Sequence, residues 1–170
     1  VYKRQQYVKC DITYEQDVTS LIQRDKAYQK PISVWHLAGV LDDASINEMD
    51  EAHLDKVLAP KVKGSRNLDA ATRQYQVDRF VVFTSVYGLL GHERLGAYAA
   101  ANAFQDALCA QRRSEGLPAL SIAWGTWAGA GSEVIIGRDT RESGPELSDA
   151  LAAGVMRGGA HALLAGVLPT

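Results

Sequence analysis

Apolar residues fall along this chain in short runs separated by longer stretches of helical spacing. Residues 7–10 make a short strand candidate that leads into Asp11-Ile12-Thr13. Within 14–28, Val18, Leu21 and Ile22 recur at the three- and four-residue intervals of one helix face. Residues 32–37 are rich in β-branched and aromatic side chains, which predicts a strand, and the run stops at Ala38-Gly39. A long helical pattern over 49–74 carries Leu54, Val57, Leu58, Val62 and Leu68, with a kink predicted at Pro60. Residues 80–83 are continuously apolar, as in a strand covered on both faces. An Ala-rich helix is predicted over 97–113 and another strand over 119–124. Strand and helix taking turns predicts an α/β fold with a parallel sheet. Such sheets bind ligands beyond the carboxyl ends of their strands.

After Gly131 the pattern restarts. Ser132 is followed by Glu-Val-Ile-Ile-Gly-Arg, then a predicted helix over 146–156, then Ala162-Leu-Leu-Ala-Gly-Val-Leu. We therefore read two portions, 1–131 and 132–170, the second a strand–helix–strand unit. No internal repeat or low-complexity tract is visible.

Composition narrows the classes without choosing among them. The 170 residues are 46% hydrophobic and 22% charged, as in an ordinary globular protein. A formal net charge of −2 gives no pull toward nucleic acid or an anionic membrane, and neither partner is expected. Cys10 and Cys109 stand far apart, without ligand spacing, and read as a buried, reduced pair in a cytoplasmic protein. His36, His53, His92 and His161 form no HxxxH or HExxH arrangement, so no metal site is expected. The opening Val-Tyr-Lys-Arg-Gln-Gln does not read as a signal peptide, and no apolar run is long enough to span a bilayer.

Chemistry gathers after the strands. Ser85 follows the run 80–83; Tyr98 comes later, and Asn102 lies four residues beyond it, on the same helix face. Lys61 precedes them all. A Ser, a Tyr, a Lys and an Asn suit reduction of a carbonyl. Hydride addition builds negative charge on the oxygen, which needs preorganised donors. It also needs a proton, and a phenol of pKa about 10 serves at neutral pH only when a nearby cation shifts it. Any one of these residues alone would suit a cap, a turn or packing.

The flanking sequence makes the set specific. Phe83-Thr-Ser-Val-Tyr-Gly-Leu-Leu-Gly91, Tyr98-Ala-Ala-Ala-Asn-Ala-Phe104, Leu58-Ala-Pro-Lys-Val-Lys-Gly64 and Trp124-Gly-Thr-Trp127 resemble, in order and spacing, the ketoreductases of modular polyketide synthases. These are members of the short-chain dehydrogenase/reductase group. The resemblance covers residues 1–131, the catalytic half of such a domain. It implies a Rossmann-like sheet and NADPH-dependent reduction of a β-ketoacyl phosphopantetheine thioester on an acyl carrier protein. Other polyketide synthase domains would be partners. Tyr98 would donate the proton, Ser85 bind the substrate carbonyl, Lys61 tune the tyrosine and hold the cofactor ribose, and Asn102 support the proton relay. Most short-chain dehydrogenases carry a Lys four residues after the Tyr; here Asn102 stands there and Lys61 comes from an earlier helix, as in the polyketide enzymes.

By the same resemblance Asp11 would contact adenine, Ala38-Gly39 would let the backbone approach the nucleotide, and Trp124-Gly125 would line the nicotinamide. Asp11 equally suits a helix N-cap, Gly39 an ordinary turn, and Trp124 the core. Leu41-Asp42-Asp43 implies the class that yields a D-configured β-hydroxyl, with Leu41 and Asp43 orienting the substrate. Leu95 is not the Trp typical of the opposite class, and Ala100 stands where an epimer-selecting subset carries Pro.

The chain contains no GxGxxG turn. The Rossmann-like fold is thus expected to be incomplete, lacking its first strand–helix–strand portion. Because backbone N–H groups at a Gly-rich helix N-terminus hold the pyrophosphate, weak or absent NADPH binding is expected of this chain alone, to be measured by calorimetric titration. Residues 133–170 resemble a first-domain segment of α-phosphohexomutases, through Val134-Ile-Ile-Gly-Arg-Asp-Thr-Arg-Glu-Ser-Gly144 and Gly166-Val-Leu-Pro-Thr170. Ser143 is not the mutase phosphoserine, and Arg138 and Arg141 read as a solvated turn. The chain reads as a chimera of two incomplete families. The alternatives are a noncatalytic α/β module that keeps the site residues without using them, and sugar-phosphate binding by the second portion.

Overall fold

The computed structural model describes residues 7–24, 31–125, 133–138, 149, 152–153 and 161–167. The chain forms two compact units, Val1–Trp124 and Gly125–Thr170. In the first, helix α1 (Glu15–Arg24) precedes strand β1 (Ile32–His36). Helix α2 (Glu51–Leu58), a π-helical turn (Ala59–Lys63) and helix α3 (Gly64–Thr72) then lead to strand β2 (Val77–Ser85). A short helix α4 (Tyr87–Leu90), the long helix α5 (Gly96–Ser114) and strand β3 (Leu120–Trp124) complete it.

The strands lie side by side in sequence order, all parallel, with Val34 beside Phe80 and Val81 beside Leu120. A sheet that grows in one direction through right-handed crossovers carries its crossover helices on one face. Val34, Phe80 and Val82 point to that face and pack with Val18 of α1, Leu68 of α3 and Cys109 of α5. Val81, on the opposite face, is also buried, so the centre of β2 is covered on both sides, as its apolar run predicts. Trp35 beside it is 45% exposed and forms an aromatic row with Phe83 and Trp124, whose rings stack at 5.8 Å.

Two expectations are corrected here. Residues 7–10 form no strand: none of the described residues pairs with them, Tyr7 is exposed, and an extended segment without a ladder partner is coil. Cys10 is only half-buried, unlike Cys109.

The predicted kink at Pro60 takes the form of the π turn. Proline has no N–H to give to the carbonyl four residues back, and its ring collides with that carbonyl. The Gly64 N–H accordingly bonds the Ala59 oxygen, five residues back. Gly64 then meets Ile12 so closely that a Cβ there would lie 2.6 Å from the isoleucine Cδ1. Asn67 Nδ2 donates to the Ile12 carbonyl at 2.8 Å, fixing the segment that carries Asp11.

The helices are tied together by charge as well as by apolar packing. Fully buried Arg112 of α5 stacks 4.0 Å above the Phe80 ring and donates to Asp69 of α3. The second Asp69 oxygen accepts from Arg73 Nε at 3.0 Å, and Arg73 also reaches Glu115 at 2.7 Å.

In the second unit, β4 (Glu133–Arg138) and β5 (His161–Val167) pair in parallel as a two-stranded sheet. A parallel pair needs a crossover between its strands. Most of the helix expected over 146–156 lies outside the described residues, as do Arg141 and Ser143.

Candidate active site

Four elements of the first unit converge at the carboxyl end of β2: the π turn, the end of the strand, α4 and α5. The π turn delivers Lys61, which is only 4% exposed. Its Nζ donates to the Phe83 carbonyl at 2.9 Å and to Gln105 Oε1 of α5 at 3.1 Å. It lies 5.6 Å from the centre of the Tyr98 ring. Burial disfavours the charged ammonium and pushes its pKa down to about 8, with the Asp106 carboxylate opposing the shift.

Ser85 ends β2, two residues beyond the Phe83 carbonyl that holds Lys61. Its Oγ donates to the Trp124 carbonyl at 3.4 Å and accepts the Tyr87 N–H at 3.3 Å. The Trp124 oxygen also accepts the Val86 N–H, so the ends of β2 and β3 are stitched together beside the serine. Asn102 is buried one turn beyond Tyr98, and its Nδ2 donates to the Tyr98 carbonyl at 2.7 Å. Its Oδ1 has no hydrogen-bond partner among the described residues. Gly88 of α4 sits against Asn102 and Ala103; a Cβ there would come within 3.1 Å of both.

The expected cofactor and substrate residues lie on the segments just past β1 and β3 and before α1. Ala38 and Gly39 are exposed just past β1. A Cβ on Gly39 would lie 3.1 Å from Lys61 Cε, so the missing side chain makes room for the lysine. Asp11 is exposed in the turn before α1, and its carboxylate accepts the Thr13 N–H at 2.9 Å and the Thr13 hydroxyl at 2.8 Å. Those two hydrogen bonds hold its pKa below the ordinary carboxylate value. Trp124 closes β3, and no described atom lies within 4 Å of the position of a Gly125 Cβ. Leu41 and Asp43 lie on the exposed loop after β1. Arg94 Nη2 donates to the Asp43 carbonyl at 3.4 Å, and the next residue pairs with Leu95 across a β-bridge. Beside that bridge is a cleft of about 560 Å³ lined by Ile46, Met49, Leu54, Ala97 and Ala100 among others.

Sequence reasoning missed three residues here. Gln105 and Ser65 are fully buried; the first bonds Lys61, and its Nε2 donates to Ser65 Oγ at 2.8 Å. A signal existed in the spacing, since Gln105 follows Tyr98 by seven positions and shares its helix face. The third is His36, whose Nε2 lies 3.1 Å from the Pro60 carbonyl. A carbonyl only accepts, so Nε2 carries the proton. Burial, with Lys61 nearby, pushes the His36 pKa down to about 4 from 6.5.

That shift has a sign in stability. Between pH 6.5 and about 4 the unfolded chain binds a proton at this position that the folded chain refuses. Stability is therefore expected to fall as pH drops through that window, by about 3 kcal/mol in all from this group. Urea unfolding at pH 7, 5.5 and 4 measures it. His36→Gln, which keeps an N–H donor, is expected to flatten the acid limb; an unchanged limb would place its origin elsewhere.

Residues 4–129 match the family model described as KR domain, and residues 113–170 match that of phosphoglucomutase/phosphomannomutase, alpha/beta/alpha domain I. The chain is similar to polyketide synthase GfsA of Streptomyces halstedii, 39% identical over 96% of this chain and 2% of that protein. It is likewise similar to the spectinabilin polyketide synthase system protein NorB of Streptomyces orinoci, 44% identical over 73% of this chain and 6% of that protein. The chain thus spans a small part of the length of these relatives. Among solved structures, the first ketoreductase of the tylosin polyketide synthase matches with a TM-score of 0.68 at 32% identity, over 91% of this chain and 35% of that one. An A-type ketoreductase from a modular polyketide synthase matches with a TM-score of 0.65 at 37% identity, over 70% and 26%. By sequence and fold the chain belongs to the KR domain family, the ketoreductases of polyketide synthases.

Proposed function

We propose that residues 1–131 carry the catalytic part of a ketoreductase that uses NADPH to reduce a β-ketoacyl thioester on an acyl carrier protein to the D-configured β-hydroxyacyl product. The observation that carries this reading is the Lys61 ammonium, buried and held 5.6 Å from the Tyr98 ring. A buried cation beside a phenol favours the phenolate left after proton donation.

In this reading Ser85 Oγ–H turns from the Trp124 carbonyl to the substrate oxygen, a 3.4 Å contact being weak enough to exchange. Tyr98 gives its hydroxyl proton to the same oxygen as charge develops there. Lys61 stabilises the resulting phenolate. Asn102 Oδ1 is an acceptor that would orient a water able to donate a replacement proton to the tyrosine. The exposed segment just past β1 and the half-buried end of β3 suit the cofactor: Ala38-Gly39 and Trp124-Gly125 would flank its ribose and nicotinamide, Lys61 would bond the ribose hydroxyls, and Asp11 would meet adenine. NADPH supplies the hydride when bound. Leu41 and Asp43, on the exposed loop, would set the face of approach.

The test is incubation with NADPH and a β-keto thioester, with cofactor oxidation followed at 340 nm (roughly the reduced nicotinamide band) and product configuration read by chiral chromatography. Reduction to the D-alcohol is expected. The L-alcohol would refute the role of Leu41 and Asp43, and no reduction by the chain joined to a Gly-rich nucleotide-binding half would refute the activity.

A further inference from the structure

We propose that Gln105, anchored by Ser65, is a positioning residue that fixes the Lys61 ammonium and sets its affinity for the proton. The inference rests on the functional reading for its importance to catalysis, but its geometry stands independently.

An ammonium has three N–H donors and no acceptor. Two from Lys61 are committed, one to the Phe83 carbonyl and one to Gln105 Oε1. The first acceptor is locked in the sheet. The second belongs to a side chain with three rotatable bonds, which holds still only if its other end is held. Ser65 does this: its Oγ accepts from Gln105 Nε2 at 2.8 Å, and both side chains are fully buried. Ser65 also lies one turn beyond Lys61, at the start of α3, so lysine, glutamine and serine close a loop between the π turn and α5. The third N–H is left for the side bounded by Gly39 and Tyr98. The Lys61 Nζ lies 3.7 Å from where a Gly39 Cβ would be and 5.6 Å from the Tyr98 ring centre.

Burial pushes the Lys61 pKa down to about 8, and the neutral amide adds no charge that would cancel that shift. A carboxylate in its place would be an opposite charge within hydrogen-bond reach and would hold the ammonium protonated. The other ionisable groups facing Lys61 are His36 from β1, and Tyr98 and Asp106 from α5. At low pH a protonated His36 would lower the lysine further; Asp106 raises it.

The experiment is a pH titration of the chain carrying ¹³C-labelled lysine, following each Cε resonance, with Lys61 assigned by its loss in Lys61→Met. It requires neither cofactor nor substrate. In the unaltered chain Lys61 is expected to titrate near pH 8. Gln105→Glu is close to isosteric and keeps both contacts, with the Ser65 hydroxyl now donating; it is expected to raise the Lys61 midpoint by about one to three pH units. Gln105→Leu removes the acceptor and is expected to lower it. A midpoint in Gln105→Glu equal to that of the unaltered chain would overturn the proposal, and this variant decides alone if the leucine protein does not fold. Failure of the chain joined to a Gly-rich nucleotide-binding half to reduce a keto thioester would count against the functional reading and leave this titration as informative as before.

Discussion

Tyr98→Phe is expected to lower turnover of a β-keto thioester by about 10²–10⁴-fold while leaving the fold in place. That range is the usual contribution of a positioned general acid. The ring remains, so the packing of α5 is kept, and no described hydrogen bond of the Tyr98 hydroxyl is lost. Only the proton donor goes. The measurement is kcat for both proteins under saturating cofactor, with circular dichroism to confirm the fold. Equal rates would mean that Tyr98 only packs. Because Lys61 loses its charge as pH rises through about 8, turnover of the unaltered protein is expected to fall along the same limb.

Asp69→Ala is expected to destabilise the first unit by about 3–5 kcal/mol, the usual result of removing one partner from a buried ion pair. Arg112 has no exposed surface and stacks on Phe80, so it cannot turn out to water when its carboxylate disappears. Arg73 is half-free to reorient, since Glu115 still accepts from it. The uncompensated charge is therefore that of Arg112. Thermal unfolding should shift down by roughly 6–20 °C for a protein of this size. The double variant Asp69→Leu with Arg112→Met removes both charges and is expected to recover most of the loss. If the single variant unfolds like the unaltered chain, the pair contributes nothing to stability.

Much of this fold and site was legible in the sequence because local patterns dictate it. The run 80–83 could bury both faces only at a sheet centre, and the Ala-rich repeat around Tyr98 and Asn102 could only be a helix with the two on one side. Ser85 and Lys61 stood out as candidates through their flanking residues. The segment 7–10 was misread because its apolar alternation is a strand only where a partner strand runs beside it, and pairing is not a local property. His36, Gln105 and Ser65 were missed for a related reason. Each acts on a residue far away in the chain: His36 on Pro60, Gln105 on Lys61, and Ser65 on Gln105, forty residues later. Such contacts arise only once crossovers have brought three helices to one strand end.

The π turn at Ala59–Lys63 works as a change of phase. Residues 57 and 68 are eleven apart, about three α-helical turns, so an uninterrupted α-helix would aim Val57 and Leu68 the same way. One extra residue within the turn rotates the downstream helix by roughly 100°. The segment therefore faces two neighbours in succession: α2 packs against α5, and α3 packs against α1 and β1. Lys61 sits at the step between the two facings, at the point where the rod turns from the helix that bears Tyr98 toward the sheet. Deleting one residue from this turn would remove that rotation and swing either α2 or α3 off its partner. The turn is thus a length constraint written into the chain: insertions and deletions are expected to be tolerated before Glu51 or after Thr72 far better than between Leu58 and Gly64.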